Sequence, residues 1–304
     1  MPEDKLVSII LPTYNRVNLL KKALGSALEQ TYKNIEILVG DNHSEDGTEE
    51  YMKEEAAKDS RIKYFRRGEN IGAFNNSADL LTRIKGDYFL FFNDDDWLDL
   101  NYVEECVKFM NKNKGYAFVT PSIILYNEDY TIYEKRTAPN LTSDSTRKRI
   151  STLLEHYWSS DIVSGLFDRK VLNTMLEVDG YIFKRRIVED VIFMMRALAV
   201  GKGKVITNVH YRKLNNGATR DLGKIPQDYF DTTGVTLKNF LSVCIKTLVD
   251  TINEDKIFLT SIGEPEKFAE KLALYLKKKW EISKRIKFKR TLRFLKIYKR
   301  VYTC

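Results

Sequence analysis

The sequence predicts an α/β protein with a Rossmann-like, mostly parallel central sheet flanked by helices, followed by a helical C-terminal region. Over the first hundred residues, a short apolar run and a longer amphipathic stretch alternate four times. The apolar runs lack polar alternation, which is typical of strands buried on both faces. Alternating strands and helices imply right-handed crossovers in a parallel sheet. From Pro226 onward the pattern predicts helices only.

Composition fits an ordinary folded protein. The chain has 304 residues and 43% hydrophobic content, enough for a sizeable core. Its three cysteines, Cys106, Cys244 and Cys304, are far apart, which excludes a disulfide framework or a zinc ribbon. No apolar run is long enough to span a membrane, and the first residues lack the order of a signal peptide. We therefore expect a cytoplasmic protein.

The four repeats predict the first eight elements. Strands are expected over Leu6–Leu11, Ile35–Val39, Ile62–Phe65 and Tyr88–Phe92, and helices over Val17–Leu28, Thr48–Lys58, Ala73–Ile84 and Leu98–Met110. Asp46-Gly47-Thr48 supplies turn and cap chemistry before the second helix, and Asp99 is the expected cap of the fourth.

The regular alternation ends after Met110. Further strands are expected over Phe118–Tyr126, Thr131–Glu134, Ile162–Phe167 and Val205–Tyr211, and helices over Thr142–His156, Val188–Val200, Tyr229–Asn253 and Glu266–Tyr302. The first two of these strands suggest an antiparallel excursion. A boundary near residue 225 divides the chain into a sheet-bearing domain, 1–225, and a helical region, 226–304.

Three consecutive aspartates, Asp94, Asp95 and Asp96, follow the fourth apolar strand. Ligands of an open parallel sheet bind outside the carboxyl ends of its strands, so this loop belongs to the predicted binding edge. Carboxylates packed in one loop repel each other unless a cation compensates. Mn²⁺ or Mg²⁺ would supply this positive charge, with substrate phosphates completing its coordination shell. We therefore expect a nucleotide diphosphate ligand. The alternative is that the triplet only caps the next helix.

The polar residues after the strands form four motifs in a fixed order. They are Val7-Ser8-Ile9-Ile10-Leu11-Pro12-Thr13-Tyr14-Asn15-Arg16, Leu38-Val39-Gly40-Asp41-Asn42-His43-Ser44-Glu45-Asp46-Gly47-Thr48, Asn70-Ile71-Gly72 and Asn93-Asp94-Asp95-Asp96. In this order they resemble the motifs of inverting family 2 glycosyltransferases of the GT-A fold, over about residues 5–215. The family's usual Asp-x-Asp-Asp here begins with Asn93, which leaves the roles of Asp94 and Asp95 open by one position.

The resemblance implies a nucleotide-sugar donor, most simply a UDP-sugar. The implied nucleotide-binding residues are Pro12, Thr13, Tyr14, Asn15, Asp41, Asn70, Gly72 and Asp94. Asp41 would accept a hydrogen bond from uracil. Asp95 would be the principal ligand of Mn²⁺ or Mg²⁺, with Asp94, Asp96 and His210 as further candidates. For His210, simple packing at a strand end is an alternative.

The resemblance also implies a catalytic base. Inversion needs a group that takes the proton of the acceptor hydroxyl opposite the departing diphosphate, and Asp190 holds that position, with Glu189 beside it in the acceptor or sugar pocket. The alternative for this pair is a helix N-cap. Arg212 and Arg220 would stabilise the charge on the leaving phosphate. Leu214 stands where many relatives have a metal-binding His.

The implied acceptor is a hydroxyl of a cell-surface or lipid-linked glycan. Trp97 could stack under a sugar or pack in the core, and Gly165 lies in a segment that resembles the acceptor side. One rival function is a sugar-phosphate nucleotidyltransferase, whose Gly-rich basic loop after the first strand is absent from 12–16. The other is a non-catalytic glycan- or membrane-binding protein of the same fold.

Positive charge is concentrated at the C-terminal end. Residues 271–304 contain thirteen Lys or Arg against Glu281 alone, a net of +12, and since the whole chain carries +8, residues 1–270 carry −4. Apolar residues at mostly helical spacing, with Trp280 and Phe294, predict a basic amphipathic segment on an anionic membrane at the inner face of the cell. The alternative is packing on the protein or a homo-oligomer seam. Nucleic acid is not an expected partner, because no binding module accompanies the charge.

Overall fold

A computed structural model describes residues 4–156, 163–183, 189–214 and 240–285. Its strands are β1 (Val7–Thr13), β2 (Ile35–Asp41), β3 (Ile62–Arg66), β4 (Tyr88–Phe91), β5 (Asp96–Leu98), β6 (Tyr116–Tyr126), β7 (Ile132–Arg136), β8 (Leu166–Asp168) and β9 (Lys202–Leu214). Its helices are α1 (Val17–Leu28), α2 (Thr48–Lys58), α3 (Ala73–Arg83), α4 (Tyr102–Lys112), α5 (Thr146–His156), α6 (Lys170–Asp179), α7 (Glu189–Val200), α8 (Phe240–Glu254), α9 (Lys256–Ser261) and α10 (Pro265–Arg285).

One sheet runs through the described part of the chain, with strand order β3-β2-β1-β4-β8-β6-β9-β5 and β7 paired to β6. β1 is parallel to β2 and β4, β2 is parallel to β3, and β6 is parallel to β9. β5, β7 and β8 pair in the antiparallel direction. The mixed sheet, with four parallel and four antiparallel strand pairs in the described residues, the flanking helices and the helical C-terminal part confirm the predicted fold class, including the antiparallel excursion at β6 and β7.

The apolar strands separate two hydrophobic clusters. On β1, Ile9 and Leu11 pack on the side of α1 and α4, whereas Ile10 packs with the opposite cluster. This follows from the two-residue period of a strand, which sends successive side chains to opposite faces. Burial on both faces explains why these runs contain no alternating polar residues.

The C-terminal helices contribute to one of these clusters. Cys244 and Leu248 of α8, Phe258 of α9 and Leu272 of α10 are buried in the cluster that contains Phe193 of α7. Helices α8–α10 therefore share their core with the sheet-bearing part. The predicted boundary near residue 225 falls within 215–239, outside the described residues.

Two local differences from the sequence prediction have clear causes. The helix expected from Leu98 begins at Tyr102, because residues 96–98 pair with β9 at 211–213 as strand β5. Asp99 does not cap this helix: Asn101 is at the N-cap, and the Asp99 carboxylate instead binds Arg212. Helix α6, which the sequence analysis did not predict, follows β8 directly.

The basic segment is described only in part. Helix α10 buries Phe268, Leu272 and Leu276 and exposes Leu274 and Tyr275. Residues 286–304, with Phe294, lie outside the described residues, as does the side chain of Trp280. In the portions of the chain that the structure covers, no helix has the length and apolar content needed to span a bilayer.

Candidate active site

The loops after β1 and β2 interlock at the carboxyl edge of the sheet. Thr13 and Asp41 are register partners at the ends of these two strands. The Asn15 N–H donates to Ser44 Oγ at 2.9 Å, and the Glu45 N–H donates to Asn15 Oδ1 at 2.8 Å. Asn15 has φ 49°, a left-handed conformation that Asn tolerates better than most residues. Parallel pairing thus brings two predicted nucleotide-binding motifs into contact.

Asp41 is fully buried and already holds two donors. Its Oδ1 accepts the Ser44 N–H at 2.9 Å, and its Oδ2 accepts the Tyr64 hydroxyl at 2.7 Å. Burial, with the neighbouring Asp41, raises the pKa of Tyr64 well above its usual range, so Tyr64 remains a donor. These bonds orient the strand end, and contact with uracil stays a prediction.

Asn42 joins the second loop to the third. Its Nδ2 donates to Asn70 Oδ1 at 2.5 Å, and its Oδ1 accepts the Ile71 N–H at 2.9 Å. Gly72, at the N-cap of α3, has φ 80°, a conformation that favours glycine. Asn42 was not singled out from the sequence, although its place directly after the end of β2 was a signal for it.

The aspartate triplet is buried beside the β1 loop. Thr13 Oγ1 donates to Asp94 Oδ2 at 2.8 Å. Arg16 Nη1 lies 3.3 Å from Asp94 Oδ1 and 3.6 Å from Asp95 Oδ2. Burial and the neighbouring Asp95 carboxylate raise the pKa of Asp94 to about 7, although Arg16 and Thr13 act in the opposite direction. Two carboxylates and one arginine thus meet where two parallel strands end.

Asn93 explains the departure from the usual acidic motif. Its Nδ2 donates to Asp96 Oδ2 at 2.8 Å, a bond that an ionised aspartate at position 93 could not make. Asp96 Oδ1 also accepts the Leu214 N–H at 3.3 Å. Asn93 therefore ties Asp96 to the loop without adding a fourth negative charge.

This donor set suits a divalent cation only when the substrate supplies part of the coordination shell. Across the described residues, no group of three or more His, Cys, Asp or Glu side chains could hold a metal ion by itself. Asp94 and Asp95 supply buried, like-charged oxygens, which is the chemistry Mg²⁺ or Mn²⁺ uses when substrate phosphates complete the shell. His210 faces elsewhere, since its Nδ1 lies 3.1 Å from Asp99 Oδ2.

Arg212 and Trp97 form a separate cluster. Arg212 Nε donates to Asp99 Oδ1 at 2.5 Å, and its Nη1 donates to the Tyr126 hydroxyl. Burial raises the pKa of Asp99, but the Arg212 and His210 contacts outweigh it and lower the pKa overall. The Trp97 ring packs 4.9 Å from that of Tyr126, measured between centroids.

Lys22 covers the ring of Trp97. The ammonium of Lys22, on α1, lies 3.4 Å from the Trp97 centroid and 3.8 Å from that of Tyr130. The ring that could stack under a sugar is thus already in contact with a protein cation.

Asp190 lies in the first turn of α7. Its Oδ1 accepts the Val191 N–H at 2.8 Å, and Glu189 beside it is buried. Burial raises the pKa of Cys244, on α8, to about 12, with a smaller contribution from the charge of Asp190. Residues 184–188, directly before Glu189, are outside the described part, as is Arg220.

A row of aromatic rings connects α7 to the strand before the aspartates. Phe74 in the first turn of α3 contacts Phe183 at 5.2 Å between ring centroids, Phe183 contacts Phe193 at 5.9 Å, and Phe193 contacts Phe91 at 5.4 Å. Phe193 is one turn after Asp190, and Phe91 ends β4. Helix α7 therefore packs beside the strand that leads into the aspartate triplet.

Gly165 lies in the interior beside β6. A Cβ on Gly165 would come within 2.7 Å of the Val119 carbonyl oxygen, so the close approach of this segment to β6 requires glycine. The packing gives this residue a structural role, and its place in an acceptor pocket stays a prediction.

Comparison with known proteins identifies related chains. The profile described as Glycosyl transferase family 2 matches residues 8–176. A segment of 105 residues is 40% identical to Glycosyltransferase GlyA of Streptococcus pneumoniae, covering 34% of this chain and 15% of that protein. A segment of 127 residues is 35% identical to the GalNAc(5)-diNAcBac-PP-undecaprenol beta-1,3-glucosyltransferase of Campylobacter jejuni, covering 40% of this chain and 39% of that protein. In both comparisons less than half of the relative is matched.

Solved structures share the fold. S. aureus TarS 1–349 in complex with UDP-GlcNAc superposes with a TM-score of 0.58 at 15% identity, covering 97% of this chain and 90% of that one. The mannosyltransferase PcManGT from Pyrobaculum calidifontis, in complex with GDP-Man and Mn²⁺, gives 0.52 at 16% identity, covering 97% and 85%. At these identities the likeness concerns the fold alone.

Proposed function

The chain belongs to glycosyl transferase family 2, and on that premise we propose that it is an inverting, metal-dependent glycosyltransferase that uses a nucleotide-sugar donor, a UDP-sugar in the first instance. One observation carries the proposal. Thr13 and Arg16 of the first motif contact the buried Asp94 of the last, so two of the predicted donor motifs meet at the carboxyl ends of β1 and β4, which supports a donor site there. Such an edge is where open α/β sheets bind nucleotides.

In the proposed reaction, the acceptor hydroxyl attacks the anomeric carbon from the face opposite the diphosphate. The new carbon–oxygen bond forms as the bond to the β-phosphate oxygen breaks, and the electron pair leaves with the nucleoside diphosphate. Asp190 takes the proton of the hydroxyl. Its position in the first turn of α7, packed beside β4, supports this role.

The metal proposed for this site would be held by Asp95, with Asp94 beside it. When bound, Mn²⁺ or Mg²⁺ would neutralise charge on the departing diphosphate. We expect Asp95→Ala to weaken UDP binding in the presence of Mn²⁺ and to leave the weaker binding in EDTA unchanged. If both affinities equal those of the unmodified protein, Asp95 is not a ligand, and Asp94→Ala becomes the variant to measure.

The donor is tested by calorimetric titration with UDP, GDP and TDP, each with Mn²⁺ and with EDTA. The structural neighbours with UDP-GlcNAc and GDP-Man make both uracil and guanine worth testing. We expect UDP to bind selectively, and more tightly with Mn²⁺ than in EDTA. Selective GDP binding would overturn the uridine assignment, and no binding by any nucleotide would contradict a donor site at this edge.

The acceptor we propose is a hydroxyl of a cell-surface or lipid-linked glycan. The name of the C. jejuni relative includes an undecaprenol-linked glycan, which is consistent with such an acceptor. The basic C-terminal segment, 271–304, would hold the enzyme at the inner face of the membrane, and the exposed Leu274 and Tyr275 of α10 would lie toward the lipid.

Membrane association is tested by flotation with vesicles. We expect the protein to float with vesicles of phosphatidylglycerol and phosphatidylcholine at low salt and to remain unbound with phosphatidylcholine alone, because each Lys or Arg near an anionic surface contributes about 1 kcal/mol. A chain ending at residue 285, which keeps α10 and removes the seven Lys and Arg of 286–304, is the matched control. Equal flotation of both chains would show that residues 286–304 do not bind lipid.

A further inference from the structure

Two adjacent cations on β9 project from opposite faces of the strand. Arg212 is the register partner of Trp97 on β5, and its guanidinium binds Asp99 and Tyr126. Lys213 is the register partner of Asp96. Because side chains alternate along a strand, Lys213 lies on the face of Asp96 and Arg212 on the other.

Lys213 is buried at the acidic cluster. It is 3% exposed, which is rare for lysine unless its charge is compensated. Its Nζ lies 5.5 Å from the ring centroid of Tyr211. The hydroxyl of Tyr211 accepts the Asn93 N–H at 3.3 Å. Burial, with smaller contributions from the charges of Asp96 and Asp95, raises the pKa of Tyr211 well above its usual range. Tyr211 thus links the lysine to the loop that carries the aspartates.

We propose that Lys213, rather than Arg212, is the side chain that binds the diphosphate of the donor and stabilises it as it leaves. The inference rests on the proposed transferase function. As the bond between the anomeric carbon and the β-phosphate oxygen breaks, that oxygen takes the electron pair, and the Lys213 ammonium donates a hydrogen bond to the resulting phosphate. Lysine is a common phosphate ligand because it offers a compact charge with three donors.

The charge balance of the cluster favours this assignment. Asp94, Asp95 and Asp96 bring three buried carboxylates together, and Arg16 contacts the first two of them. Lys213 is placed at the third. With a doubly charged diphosphate, these carboxylates carry five negative charges against three positive charges from the proposed divalent cation and Arg16, so the cluster needs further positive charge nearby. The Arg212 guanidinium is bound on the other face of the strand. A preorganised cation at the point of charge development gives the larger part of such stabilisation.

The experiment compares Lys213→Met, Lys213→Gln and Lys213→Arg with Lys204→Met, a matched control at a half-buried lysine earlier on the same strand. Release of nucleotide from UDP-N-acetylglucosamine, UDP-glucose and GDP-mannose is measured with Mn²⁺, and kcat and KM are determined separately. Circular dichroism and thermal melting establish that each variant is folded.

We expect Lys213→Met and Lys213→Gln to lower kcat by about 10²–10³-fold, the usual effect of removing one group that stabilises developing charge. Lys213→Arg should recover at least tenfold of that loss, and Lys204→Met should match the unmodified protein. Equal kcat and KM in a folded Lys213→Gln would overturn the proposal, as would a loss that Lys213→Arg does not reduce at all. If the unmodified protein released nucleotide from none of the donors, the proposed function itself would fail.

Discussion

At the scale of single residues, the carboxylate of Asp190 has the most specific proposed role. It lies in the first turn of α7, bound to the Val191 N–H, and Glu189 is buried next to it. We expect Asp190→Asn to lower sugar transfer by at least the 10²–10⁴-fold that a general base contributes, while UDP affinity stays nearly the same. The amide keeps the size and the hydrogen-bond geometry but cannot take a proton at neutral pH.

The UDP affinity of Asp190→Asn is measured by calorimetry, and its rate of sugar transfer is measured by an enzymatic assay on the same preparation. Asp129→Asn, in the exposed turn between β6 and β7, is the matched control and should not change either. Near-normal turnover of Asp190→Asn would remove this residue from the mechanism. A parallel loss of UDP affinity would instead assign it to donor binding.

The ion pair between Asp99 and Arg212 gives a pH-dependent prediction. The pKa of Asp99 is lowered in the folded protein, so the interaction stabilises the fold above the unfolded pKa of about 3.9 and is lost as pH falls through the lower folded value. We expect Asp99→Asn to reduce the free energy of unfolding at pH 7 by about 1–3 kcal/mol, the usual range for a hydrogen bond to a charged group.

Urea unfolding of the unmodified protein and of Asp99→Asn, between pH 7 and pH 3, measures this difference in stability directly. The difference in the free energy of unfolding should be largest at pH 7. It should become smaller below pH 4, where the unmodified protein also loses the charge of the Asp99 carboxylate. A gap that is constant with pH would show that Asp99 contributes by packing and not by its charge.

Some residues of the site could be read from the sequence and others could not. The contacts of Thr13 with Asp94 follow from motifs that end neighbouring strands. The orientations of Arg212 and Lys213 could not be read, because they depend on the register between β5 and β9, which lie more than a hundred residues apart in the sequence. A shift of one position would exchange their faces.

At the scale of elements, the local sequence pattern was sufficient to predict the bounds of an element where that element is amphipathic and continuous. Helices α1 and α2 have the predicted bounds, since the apolar spacing and the Asp46 turn are local signals. Strand β5 was missed because its three residues are held by pairing with β9 and not by a pattern of their own. Leu98 was therefore assigned to the start of the following helix.

A buried network ties three helices together. Arg196 of α7 is fully buried and donates to Asp179 at the end of α6 at 2.7 Å and to the Ile182 carbonyl at 2.6 Å. The Tyr181 hydroxyl, whose ring lies under the Arg196 guanidinium, donates to Asp255 at 2.6 Å, in front of α9. This network fixes Tyr181 and Ile182, shortly after α6, against Arg196 of α7 and Asp255 in front of α9.

We expect Arg196→Met to destabilise the protein by about 3–5 kcal/mol, because it leaves buried carboxylates without their cation. Tyr181→Phe should cost about 1 kcal/mol, the value of one hydrogen bond. Arg83→Met, at an exposed pair with Asp79, is the control and should change stability by less than about 1 kcal/mol. Denaturant unfolding measures all three, and equal effects of Arg196→Met and Arg83→Met would contradict a structural role for the network.

At the scale of the whole molecule, the sheet-bearing part and the C-terminal helices have a common core. The side chains of α8–α10 in the cluster of Phe193 include Leu248, Ile252, Phe258 and Leu272. The sequence predicted helices here, but a helical pattern does not show which surface a helix covers. The aromatic row at Phe193, which supports α7, lies in that same cluster.

The last prediction concerns a chain that ends at residue 239, without α8–α10. Burial of a large aliphatic or aromatic side chain contributes about 1.5–3 kcal/mol, so loss of only four or five such contacts equals the total stability of a typical domain, about 5–15 kcal/mol. We therefore expect this chain to unfold or aggregate, whereas a chain ending at residue 285 should melt as the full chain does. Thermal melting, followed by circular dichroism, and binding of a hydrophobic dye are measured for the full chain and for the chains that end at residues 239 and 285. A cooperative melt of the shorter chain near the full-length temperature would instead establish residues 1–225 as an independent domain, with α8–α10 as an appendage to it.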